Sequence, residues 1–275
     1  MQDFKFKNIK AIMVILFFIS TVYAFNAYAA EPPAATTAAP ADQLTPPVET
    51  DDPLEGFNRG IFSFNDMVDH YILKPIATLY NKILPTPLNQ GINNFFNNIN
   101  TLPTIANDLL QLHLYQTLND TWRLAINTTV GVGGLFDIAS RMNLKHHIND
   151  FGLTLSAWGY KNSTYIVFPF FGPSTIRDGF GFAVDYYAFS IYPHIYPARS
   201  RYALYGLGVI DRRAQLLKFE PVFEEVAIDK YIFVRDAYVQ HRAYLIEENQ
   251  NLGFLTQYKD DLSPDEETDN GQNQS

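Results

Sequence analysis

Three short stretches carry residue types that could do chemistry. His146-His147 with Asp150 offers nitrogen and oxygen ligands for a metal ion. Adjacent histidines point to different faces of a helix, however, and no third group of ligands stands nearby in sequence, so a solvated helix end is expected and no metal. Val130-Gly131-Val132-Gly133-Gly134 resembles the start of a nucleotide-binding turn. Phe136 occupies the place of the third glycine, and the segment follows a helical stripe instead of a strand. A turn between helices is the expectation for Gly131, Gly133 and Gly134, because glycine adopts backbone conformations that other residues avoid. Arg177-Asp178 follows Ser174, a candidate helix cap, and reads as a structural ion pair in preference to a headgroup site.

No serine lies in a G-x-S-x-G elbow and no Walker loop is present. The residues thus assign no catalytic group and no cofactor. Net charge is −9, with six acids against one base between Lys259 and Ser275. That balance argues against a nucleic-acid partner. Apolar residues make up 47% of the chain and aromatics 15%, against 18% charged. Such a chain fills a core and still has apolar side chains to spare.

The elements that must position these residues read as mostly α. Asp52-Pro53-Leu54-Glu55 is a helix start, followed by an apolar stripe at Leu54, Phe57, Ile61, Phe64 and Val68. Pro75 is expected to interrupt this helix, and Pro85-Thr86-Pro87 to turn the chain. Leu88, Ile92, Phe95, Phe96 and Ile99 predict a helix ending near Pro103, with a short one after it at Ile105, Leu109 and Leu112. Leu114, Leu118, Trp122, Ile126 and Val130 predict a longer helix. Stripes at Ala203–Leu217 and at Tyr231, Val234, Tyr238, His241 and Leu245 predict two more. Thr164–Pro173 alone looks extended, demoted by two prolines to a loop or an edge. Helices broken into short pieces suit a curved or ring-like packing. Phe62 and Met67 stand off the apolar face of the first helix. Either they meet a later helix in an ordinary core, or their face meets lipid.

Lys5, Lys7 and Lys10, an apolar run over Ala11–Phe25, and Ala27-Tyr28-Ala29 form a signal peptide over residues 1–29. A bilayer span needs roughly 20 apolar residues, so export with cleavage is expected over a permanent anchor. Residues 30–50 hold five prolines and form an extended linker. The folded domain is expected over 51–258, followed by a disordered acidic tail over 259–275. Cysteine is absent, so packing and not disulfides must hold the fold.

"DPLEGFNRGIFSFN" from Asp52, "INTTVGVGGLFDIAS" from Ile126, "RAQLL" from Arg213 and "YIFVRDAYVQHR" from Tyr231 together resemble the MlaA/VacJ outer-membrane family. "FGLTLSAWGY" and "FPFFGPSTIRDGFG" fall between them in the expected order, so the resemblance covers about Asp51 to Glu248. It implies an all-α ring around an amphipathic passage, embedded in the outer membrane from its periplasmic side. The implied function is intermembrane phospholipid transport: removing mislocalised phospholipid from the outer leaflet and passing it to a soluble periplasmic carrier, in association with a trimeric porin. It also implies that Gly131, Gly133 and Gly134 form a hinge beside the passage, and that Phe62 and Met67 face lipid. Family members are lipoproteins, and the cysteine that would carry the lipid is missing here. A periplasmic phospholipase or other lipid hydrolase is the alternative from a different class, and it needs an activated nucleophile with a base.

Overall fold

Asp52 lies two residues ahead of the observed cap position, Leu54, and braces the helix start from outside. Its carboxylate accepts from the Leu54 N–H at 3.2 Å and from the Asn58 amide at 2.9 Å. Helix α1 then runs Glu55–Val68. The computed structural model describes residues 52–221 and 229–252. The signal peptide at 1–29, the linker at 30–50 and the acidic tail at 259–275 lie outside the described residues.

Pro75 does not end the helical path. A π-helical segment, Asp69–Leu73, leads directly into α2 (Lys74–Ile83), where Pro75 sits in the first turn. A first-turn N–H has no partner inside the helix, so the proline removes nothing that α2 uses. The widened turn aims Asp69 at α8 (Ala198–Leu216), where Arg213 grips both carboxylate oxygens at 2.7 and 2.8 Å. Pro103 likewise fails to divide the next helix, and α3 is continuous over Thr86–Leu110. An internal proline costs about 3 kcal/mol. Side-chain bonds from its buried stripe offset that cost: Thr104 donates to the Asn149 carbonyl at 3.3 Å, and Asn107 to Asp185 at 2.7 Å.

The remaining elements are α4 (Leu114–Thr129), α5 (Ile138–Arg141), α6 (Phe151–Ala157), α7 (Ile176–Val184), a second π-helical segment (Asp185–Phe189) and α9 (Lys230–Asn251). The extended stretch forms a two-stranded antiparallel hairpin, β1 (Tyr165–Phe168) and β2 (Gly172–Thr175), with Val167 opposite Pro173. Two asparagines bind α1 to it. Asn58 accepts from the Val167 N–H at 2.8 Å, and Asn65 accepts from the Phe170 N–H at 2.8 Å.

The packing closes on itself. Helix α1 lies on the hairpin, β2 on α9, α9 on α6, α6 on α3, α3 on α8 and α8 on α2, which continues α1. Helices of unequal length joined this way make a ring-like all-α fold with one small hairpin. Among the described residues, no helix is long and apolar enough to cross a membrane.

The polarity of this ring is turned inside out. Helix α4 packs along α3, yet it buries Gln116, Asp120, Arg123 and Asn127. The apolar stripe that announces α4 in the sequence faces outward, with Leu118 and Trp122 each 62% exposed. Ile76, Leu79 and Ile83 on α2 and Leu109, Leu110 and Leu112 at the end of α3 are exposed as well. Phe62 is half-buried and meets Tyr231 edge-on at 5.7 Å, so a later helix covers the face that was expected to meet lipid. Met67 is half exposed.

Exchanging the two faces of α4 one residue at a time tests this. Trp122→Ser should change thermal stability in detergent by no more than about 0.5 kcal/mol. Asp120→Ala, which strips His147 of a carboxylate, should cost about 3–5 kcal/mol. A larger loss from Trp122→Ser than from Asp120→Ala would reverse the assignment of inside and outside.

Candidate functional site

The ring borders an open cavity of about 130 Å³. Helix α3 contributes Phe96, Asn97 and Asn100 to its wall, α8 contributes Val209, Asp211 and Arg212, and α9 contributes Tyr238, His241 and Arg242. Asp150, just before α6, and Asp178 and Asp185, on and after α7, complete the charged part of the wall. Tyr186, Tyr192 and Tyr205 supply an aromatic side, with the last two rings 4.9 Å apart. The lining is amphipathic, combining charged and amide groups with phenylalanine, valine and tyrosine side chains.

Arg242 is the node of the wall. It pairs with Asp150 through both guanidinium nitrogens and reaches Asp178 at 2.8 Å. Asp178 also takes the Arg177 Nε–H and the Tyr238 hydroxyl, each at 2.8 Å. Burial opposes ionisation of Asp178, but the two guanidinium groups outweigh it and hold the carboxyl below its usual range. Arg177-Asp178 is therefore the structural ion pair that its sequence suggested. The cap before it is Thr175, not Ser174, accepting from the Asp178 N–H at 3.1 Å.

Asp185 differs from these. Its donors are neutral, the Phe151 N–H at 2.9 Å and the Asn107 amide at 2.7 Å. Burial, reinforced by the nearby charge of Asp150, pushes this carboxyl up to about 8. Burial raises Asp211 also, which accepts from the Tyr80 hydroxyl at 2.8 Å and the Asn93 amide at 3.1 Å.

His147 corrects a sequence expectation. It lies in an irregular stretch, not at a solvated helix end, and its ring is clamped between Asp108 at 2.9 Å and Asp120 at 2.8 Å. Asp150 points away into the Arg242 node, so it shares no site with the histidine. Asp108, Asp120 and His147 are close enough to hold a metal ion. Both ring nitrogens already face a carboxylate, which suits a protonated imidazole better, since a metal takes only one of them. Burial works against charging the ring, but the bonds and attraction of two carboxylates prevail and push it up to about 10. Asn149 extends this contact towards the passage by donating to Asp108 at 2.7 Å.

The three glycines form one tight turn at the end of α4. The Gly133 N–H donates to the Thr128 carbonyl at 2.9 Å and the Gly134 N–H to the Asn127 carbonyl at 2.8 Å, closing off the helix. A side chain at Gly131 would collide with the Phe136 carbonyl oxygen. At Gly134 a Cβ would sit 2.7 Å from the Asn98 Cβ, with φ at +90°. Gly133 faces open space but holds φ at +71°, where other residues are strained.

Sequence reasoning singled out neither Asp185 nor Asp211, and it named Asp150, Asp178, Tyr238 and His241 without placing them together in one wall. A usable signal existed in "YVQHR", where an arginine and a histidine share a helix with deeply placed tyrosines.

The two shifted groups fix a pH dependence. His147 is raised above its ordinary 6.5, so its contribution is complete below that pH and is lost as pH rises through about 10. Asp185 is raised above 3.8, so the folded state loses stability from there up through about pH 8. Thermal unfolding in detergent should show stability falling steadily from pH 6 to 10, and Asp185→Asn should flatten the part below pH 8, on the order of one unit either way. An unchanged slope in Asp185→Asn would contradict the assignment.

The sequence profile of the MlaA lipoprotein family matches residues 50–245. A Rickettsia prowazekii protein, described as uncharacterized, is 36% identical over 198 residues, 71% of this chain and 77% of its own. The intermembrane phospholipid transport system lipoprotein MlaA of Escherichia coli (strain K12) is 34% identical over 203 residues, 70% of this chain and 78% of that protein. A solved structure from work on the structural basis for maintenance of bacterial outer membrane lipid asymmetry superposes with a TM-score of 0.61 at 33% identity, covering 71% of this chain and 99% of that one. With its ring-like helical fold and a profile match spanning nearly all of the described residues, the chain belongs to the MlaA lipoprotein family.

Proposed function

We propose that this protein removes mislocalised phospholipid from the outer leaflet of the outer membrane and passes it to a soluble periplasmic carrier. The observation that carries the reading is the inverted polarity of the ring: an apolar exterior surrounds a cavity lined by charged, amide and tyrosine side chains. The family membership supports it.

The energetics favour a passage. Exposing two long acyl chains to water costs on the order of 20 kcal/mol, at about 0.8 kcal/mol per methylene. A charged headgroup crossing hydrocarbon unaided meets a barrier of its own. An amphipathic passage lowers both at once. Lipid moving down a gradient of packing stress needs no covalent step, so the proposal assigns no catalytic residue and no cofactor. The exterior stripes, with Met67 among the lipid-facing groups, embed the ring from the periplasmic side, and a trimeric porin is the proposed membrane partner.

Gly131, Gly133 and Gly134 are proposed as a hinge beside the passage. Gly133→Val has room for its side chain but strains the backbone, at a cost of about 1–3 kcal/mol. Outer-leaflet phospholipid should change in this variant by more than its modest loss of thermal stability explains. Wild-type lipid distribution would remove the hinge, and loss of lipid transport only in proportion to lost protein would leave the turn purely structural.

Deleting the gene should let phospholipid accumulate in the outer leaflet and raise sensitivity to detergent and chelator. Labelling of surface-exposed phospholipid in a deletion strain without a redundant transporter checks this. No accumulation there would overturn the transport reading.

A further inference from the structure

Between Asp185 and Asp211 the chain carries no acid, although the whole protein has a net charge of −9. The same stretch holds six tyrosines and two arginines, Arg199 and Arg201. It leads from the second π-helical segment into the first part of α8. Arg199 is exposed, and Tyr187 and Tyr196 are 69% and 82% exposed.

Arg201 gathers these groups into one surface. It donates to the Pro193 carbonyl at 3.1 Å and to the Tyr202 hydroxyl at 3.5 Å, with its guanidinium 5.1 Å from the centre of that ring. Its charge also reaches Tyr186 and Tyr196, and Tyr187 meets Tyr186 edge-on at 5.0 Å. Among the described residues no carboxylate pairs with Arg199 or Arg201. The surface therefore keeps a positive charge that the protein does not compensate. Guanidinium forks suit phosphate oxygens, and tyrosine rings collect where hydrocarbon meets water.

The neighbouring surface says which anion is faced. Arg199, Ala203 and Leu207 stand at four-residue spacing along one line of α8, and all three are exposed. Over about 12 Å that line changes from charged to apolar. Helix α8 also lies against α2, whose Ile76, Leu79 and Ile83 are exposed. A small soluble anion has no use for this gradient. A lipid layer matches it, with phosphates beside the arginines and acyl chains beside the apolar side chains.

On the membrane reading above, we infer that the surface formed by Arg199, Arg201 and the tyrosines around them sits in the phosphate layer of the membrane. Tyr186 also lines the cavity, so this seating brings the phosphates to the cavity's aromatic side.

The chain has no cysteine, so a single introduced one takes a spin label cleanly. The full chain with Ser200→Cys, or with Ala125→Cys on the outer face of α4, is reconstituted in liposomes. These contain equal parts of dioleoyl phosphatidylcholine and dioleoyl phosphatidylglycerol. Power saturation with oxygen and with a nickel chelate reads the depth of each label. The label at position 200 should lie at the phosphates, and the label at position 125 among the acyl chains. Arg199→Gln, which removes an exposed side chain, should weaken liposome binding about fivefold, and Arg199→Gln/Arg201→Gln on the order of twentyfold. High salt should remove both differences. A label at 200 in open water beside a lipid-buried label at 125 overturns the seating and leaves the embedded ring intact. So does unchanged binding in both arginine variants. A label at 200 that is shielded only when a trimeric porin is added also overturns it, by making the surface a protein contact. If both labels are in water, the embedded ring fails and the seating falls with it.

Discussion

A charge taken out of water must find its partner inside the protein, and the ring is arranged around that demand. Arg242 comes from α9, Asp150 from the start of α6 and Asp178 from α7, so one ion-pair node fastens three elements of the wall. Asp150 also caps α6 by accepting from the Leu153 N–H at 2.9 Å. Arg213 repeats the device on the far side, tying α8 to the π-helical segment through Asp69. Breaking a buried pair of this kind costs about 3–5 kcal/mol, because the surviving charge stays behind unpaired. The ion pairs therefore fasten the helices that wall the cavity.

The outside follows from the inside. A helix has one circumference, and α4 spends its inner face on Gln116, Asp120, Arg123 and Asn127. Leu114, Leu118 and Trp122 are left for the exterior. In water such a surface is a liability, since large exposed apolar patches drive association. Against acyl chains it costs nothing, and the same sequence becomes consistent at every level. The two small aromatic and aliphatic clusters, one around Tyr192 and Tyr205 and one around Tyr165 and Tyr231, stabilise the ring where its elements cross.

Much of this was legible as residues. The helix start close after Asp52-Pro53, the helices after Pro85 and over Ala203–Leu217, and the extended character of Thr164–Pro173 all follow from spacing and turn chemistry. The prolines misled, because their cost is local while the bonds that offset it come from Asp185, Asn149 and Arg213, far away in sequence. The apolar stripe of α4 gave the helix and concealed its orientation, since periodicity locates a face without saying what solvent meets it. His147 was misjudged for a similar reason: its partners lie 39 residues away at Asp108 and at Asp120 on the next helix. The passage wall is assembled from four helices and two irregular segments, and no single window of sequence contains it.

The central claim is that the outer stripe of α4 meets acyl chains. Trp122 and Trp158 are the two tryptophans of the chain, so Trp158→Phe leaves Trp122 as a single reporter on that stripe. The direct measurement is fluorescence quenching of this variant in liposomes whose lipids carry bromine on their acyl chains, compared with quenching by aqueous iodide. The inverted ring predicts strong quenching by the brominated chains and little by iodide. Ready quenching by iodide with none from the brominated lipids would contradict it.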